Sequence, residues 1–193
     1  MRRAEEIRYR DPADGRMLTT TEALLSGAYR ESQVHVRYET GLDVWVNGSL
    51  REPWPVEVDG TKYALPPSGF VCRASDGALV YSALTDAGRV DYASYDDTRF
   101  IDARGSRQTV GPFDTDGAAI LRRAADGAWT LWPLGNATSL RVRIGDLGLA
   151  AAPSISAFDE SGQPLPEVDV TVEDGWLNVP TNWGAFSLVL RQG

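Results

Sequence analysis

Trp45 stands in an alternating run, Leu42-Asp43-Val44-Trp45-Val46-Asn47. The alternation places it on one strand face with Asp43 and Asn47, and places Leu42, Val44 and Val46 on the other. With the Leu/Val face buried, the indole is exposed beside a carboxylate and an amide. A flat aromatic surface stacks on the apolar face of a sugar ring, and flanking polar groups bond its hydroxyls. The same pattern also allows this face to pack on a neighbouring module. Trp183, in the loop Pro180-Thr181-Asn182-Trp183-Gly184, is a further carbohydrate-binding candidate. Asp96, Asp97 and Asp102 crowd into one polar stretch, read as a loop, and could supply oxygen ligands to calcium, although they lack EF-hand spacing. With one cysteine and one histidine, no Cys/His set exists for zinc.

Other chemistries find little footing. A Ser-His-Asp site would have to use His35, and no serine sits in a Gly-x-Ser-x-Gly elbow. A glycosidase pair needs two carboxyls facing a cleft. Many of the 27 acids here are accounted for by turns instead, including the Asp-Gly pairs at 14, 59, 76, 116, 126 and 174. Cys72 lies in the apolar run Gly69-Phe70-Val71-Cys72 and is expected to be a buried, inert thiol. Asn47-Gly48-Ser49 and Asn136-Ala137-Thr138 match the glycosylation acceptor pattern. Trp129 and Trp132 are an odd number of residues apart, so in a strand they cannot share a face, and at least one is buried.

The elements that must position these residues are strands. Val34, Val36 and Tyr38 alternate with polar residues, as do Trp54, Val56 and Val58, and later Leu140, Val142 and Ile144. Asp59-Gly60 suits a two-residue hairpin turn, in which both positions need positive φ. Thr19-Thr20-Thr21-Glu22 opens one short helix near 20–26, with Gly27 to end it. Strands recurring every ten or so residues predict an all-β protein of two β-sandwich modules, residues 1–104 and 105–193; one continuous sandwich is the alternative. The charged start has no evident reason to open a domain, which suggests a chain that begins inside a longer one.

The 193 residues carry a net charge of −8. Diffuse negative charge argues against nucleic acid and against anionic membrane surfaces. No apolar run is long enough for a membrane-spanning helix.

Ala4-Glu5-Glu6-Ile7-Arg8-Tyr9-Arg10, Ser26-Gly27-Ala28-Tyr29, Gln33–Gly48, Trp54-Pro55-Val56 and Tyr63-Ala64-Leu65-Pro66-Pro67-Ser68-Gly69-Phe70 carry a resemblance. Residues 5–104 resemble the C-terminal β-sandwich region of large bacterial glycoside-hydrolase-like proteins. Residues 105–193 look only generically immunoglobulin-like or fibronectin-like. The resemblance implies a non-catalytic accessory region that supports a catalytic (β/α)8 barrel in a longer parent chain, with glycan as a further partner. It implies an extracellular or periplasmic location if the parent is secreted. No catalytic residue transfers, because the barrel is not in this chain. A structural or protein-interaction module without sugar affinity is the alternative, and an autonomous glycoside hydrolase a third.

Overall fold

The computed structural model describes residues 3–135, 137–166, 169–180 and 184–193. They form an all-β protein of antiparallel strands with one short α-helix, as the alternation and turn chemistry predict. Contacts divide the chain into two compact units, residues 1–89 and 90–193.

The first unit contains β1 (Ala4–Arg10), β2 (Met17–Thr19), α1 (Thr20–Ser26), β3 (Gln33–Tyr38), β4 (Leu42–Asn47), β5 (Trp54–Val58), β6 (Thr61–Leu65), β7 (Gly69–Ala74) and β8 (Leu79–Thr85). Its strands run in the order β8-β7-β4-β3-β1-β2. The β5–β6 hairpin joins at β8 through Ala64 and Leu84. Asp59 and Gly60 both have positive φ, at 50° and 77°, as a type I′ turn requires. Trp54, Val56, Val58 and Leu65 on that hairpin make a buried cluster with Val71 and Ala83.

Helix α1 starts where its sequence says it should. Glu22 N–H donates to Thr19 Oγ1 at 3.3 Å, and Thr19 N–H donates to Glu22 Oε2 at 2.8 Å, a complete capping box. Gly27, at φ 81°, ends the helix in the left-handed conformation. The helix packs Ala23 against Leu18, Ala28 and Tyr9. Seven residues have little helical stability of their own, so the cap is needed. Thr19→Ala is expected to cost about 1 kcal/mol, read as a lower urea midpoint with an unchanged slope.

The second unit contains most of β9 (Gly88–Tyr95), then β10 (Thr98–Asp102), β11 (Gln108–Val110), β12 (Phe113–Thr115), β13 (Ala118–Arg123), β14 (Trp129–Leu134), β15 (Leu140–Arg143), β16 (Ser154–Phe158), β17 (Thr171–Glu173), β18 (Trp176–Val179) and β19 (Ser187–Arg191). Within this unit one sheet runs β16-β19-β14-β13-β10-β9 and the other β11-β12-β15-β18-β17. The cross-strand row Leu121, Leu131, Leu188, Ala157 is buried on the first sheet, and the row Phe113, Val142, Leu177 on the second. These are the two inner faces of a sandwich-like arrangement.

Candidate functional site

The constellation around Trp45 assembles as a set of side chains that contact one another. β3 and β4 pair His35 with Trp45 and Arg37 with Asp43. The His35 and Trp45 rings stack at 4.3 Å with planes 6° apart. Asp43 Oδ1 accepts from His35 Nε2 at 2.7 Å and from Arg37 Nε at 3.0 Å. A carboxylate has no proton to give, so Nε2 carries the hydrogen. On β1, Glu6 accepts from Arg8, whose guanidinium lowers the Glu6 pKa. One face of the indole is thus covered by imidazole, and the side chain packs on the cluster around Trp54. The polar groups here bond one another, and among the described residues no hydroxyl or thiol hydrogen-bonds His35.

Asn47 corrects the sequence expectation outright. It is fully buried. Its Nδ2 lies 2.8 Å from Leu65 O, 2.9 Å from Glu52 O and 3.1 Å from Pro66 O. Its Oδ1 accepts from Gln33 Nε2 at 3.0 Å and from Ser49 N–H at 3.2 Å. The whole amide anchors two loops, leaving nothing for a ligand and no access for glycosylation. Trp183 and the second acceptor, Asn136, lie outside the described residues.

The acidic trio does not converge either. Residues 98–102, expected to be loop, form β10, because Phe100 and Ile101 give that stretch a strand's alternate faces. Asp96 and Asp97 sit at one end of β10 and Asp102 at the other, about 17 Å away at strand rise. One calcium ion cannot span them. Among the described residues no group of three or more metal-ligating side chains is assembled.

The face of β4 opposite Trp45 holds what the alternation misassigned. Tyr9, Val34, Val46, Phe70 and Ser82 form one cross-strand row, and Ile7, Val36, Val44, Cys72 and Val80 the next. Neither row contains a charge. Ile7 and Val46 are each 39% exposed, and of the ten only Ser82 is buried. Leu24 and Leu25 on α1 are also exposed. The signal was in the sequence, since β3 and β4 carry apolar residues at alternate positions. Alternation alone does not say which of the two faces is the buried one. Burial raises the Cys72 thiol pKa, as expected for an unreactive cysteine, though the residue is only partly covered.

In the second unit Trp129 is buried and donates Nε1–H to Leu147 O at 3.0 Å, while Trp132 stays partly exposed on the opposite face. On the other sheet, Asp114 is buried between Arg107 and Arg141. No protein-family model, curated protein or solved structure significantly matches the chain. No helix among the described residues is long and apolar enough to cross a membrane.

Proposed function

We propose that this chain is a non-catalytic accessory region of a carbohydrate-active enzyme. Its first unit would dock an uncharged sheet face on a folded domain, the catalytic (β/α)8 barrel that the resemblance implies. One observation carries this: two adjacent uncharged rows run across β1, β3, β4, β7 and β8, a width of about 19 Å, and keep part of their apolar surface in solvent. A contiguous apolar face of this kind marks an interaction surface. The arrangement of His35, Asp43 and Trp45 supports the non-catalytic half of the proposal, since those side chains satisfy one another.

Cys72 sits inside the face and reports on it. Its raised pKa makes alkylation slow in the isolated chain. In a longer chain that joins this region to a catalytic barrel, iodoacetamide labelling of Cys72 is expected to slow by at least about tenfold, the protection given by about 1.4 kcal/mol of docking. Val46→Lys, at an exposed position, should restore the faster rate without unfolding the unit. Equal labelling with and without the barrel would exclude docking by this face. Turnover of aryl glycosides by the isolated chain would exclude the accessory role.

A further inference from the structure

We propose that the groove beside Trp132 in the second unit is a binding site for a neutral saccharide chain. The cavity measures about 440 Å³ and is lined by Asp97, Arg122, Arg123, Ala124, Thr130 and Trp132, among others. That volume lies in the range of small-molecule sites.

The register of the sheet builds the platform. Tyr95, Thr98, Arg122 and Thr130 form one cross-strand row, and Ala93, Phe100, Ile120 and Trp132 the next. Side chains in one row share a face, so an aromatic row and a hydroxyl- and guanidinium-bearing row lie side by side. Tyr95 is 45% exposed, three inter-strand steps or about 14 Å from Thr130. Phe100 lies two steps, about 10 Å, from Trp132. These spacings suit a few linked sugar rings laid across the strands.

Trp132 differs from the other described tryptophans. Trp54 and Trp129 are buried, Trp45 is stacked on His35, and Trp176 has Arg141 and Arg143 over its ring at 5.0 and 4.6 Å. Among the described residues no ring or cation covers the Trp132 indole, and nothing accepts from its Nε1–H. The side chains of Arg122, Asp97 and Thr130 likewise have no hydrogen-bond partner there. Several other arginines are spent on carboxylates, as in the pairs Arg73–Asp59, Arg104–Asp91 and Arg107–Asp114, and Arg99 on backbone carbonyls. An open indole for stacking, with a donor, an acceptor and a hydroxyl within reach, matches a ring with an apolar face and a hydroxylated rim. Arg123 also borders the groove but pairs with the buried Trp129, on the strand face opposite Trp132. On the platform face Arg122 and Asp97 balance in charge, which favours a neutral ligand over a phosphate or a polyanion.

The test uses the isotope-labelled whole chain, titrated separately with cellohexaose, xylohexaose, mannohexaose and laminarihexaose. At least one is expected to move the Trp132 indole N–H resonance and the amides of 122–125 and 130–132, with a Kd of about 1 mM or tighter. Trp132→Ala should weaken binding at least tenfold. Asp97→Asn, at a side chain without partners, should weaken it several-fold while leaving the rest of the spectrum in place. If none of the four moves these resonances, or if the shifts survive both substitutions, the site is refuted. No barrel is involved, so this outcome is independent of whether the first unit docks.

Discussion

Replacing Asn47 with alanine is expected to destabilise the first unit by at least about 3 kcal/mol, enough to lower its thermal transition by on the order of 10 °C. The amide is fully buried and serves the carbonyls of Glu52, Leu65 and Pro66, the Gln33 side chain and the Ser49 N–H. Its removal strands several buried polar groups at once, and each one left unsatisfied costs about 1–3 kcal/mol. Asn47→Asp should be no better, because a carboxylate oxygen would then face three carbonyl oxygens. Calorimetry of the two variants decides the matter. A change within about 0.5 kcal/mol would mean that the amide does not hold these loops.

The second large effect belongs to Asp114. Its carboxylate is buried, accepts from Arg107 Nε at 2.7 Å and Nη2 at 3.0 Å, and is also bonded by Arg141. The Arg107 hydrogen bond is the main cause of its lowered pKa, with burial opposing and Arg141 assisting. Asp114→Ala leaves the half-buried Arg141 uncompensated and is expected to cost about 3 kcal/mol or more near neutral pH. The pH dependence has a definite sign. In the unfolded chain the group titrates near 3.9, and in the folded chain below that. Its contribution is therefore complete above about pH 4 and is lost as pH falls through the lower folded value. Urea unfolding between about pH 6 and pH 2 should show the wild-type chain losing this stability while Asp114→Asn does not. A gap that stays constant with pH would show that the ionised carboxylate is not the stabilising species.

The elements whose determinants are local were legible in sequence order. Thr19 and Glu22 close their capping box through backbone groups three residues apart, and Asp59-Gly60 makes its turn from its own φ preferences. The odd spacing of Trp129 and Trp132 separated a buried indole from an open one. β10 was hidden because its two apolar residues sit among charges that look like loop. A loop there would gather Asp96, Asp97 and Asp102 into one cluster; the extended strand holds them apart.

By itself, the sequence determined the all-β class, the short helix at 20–26 and the Asp-Gly turn at 59–60, because alternation, capping and positive φ are settled within a few residues. It also determined which positions share a strand face. Only the tertiary structure decided which way each face points. A period of two is the same seen from either side of a sheet. For β4 the choice rests with the β5–β6 hairpin, which brings Trp54, Val56 and Val58 over Trp45 and leaves Val44 and Val46 outward. The groove at Trp132 was likewise beyond reach of the sequence, because Asp97, Arg122 and Thr130 meet there only through the pairing of β10 with β13 and β13 with β14.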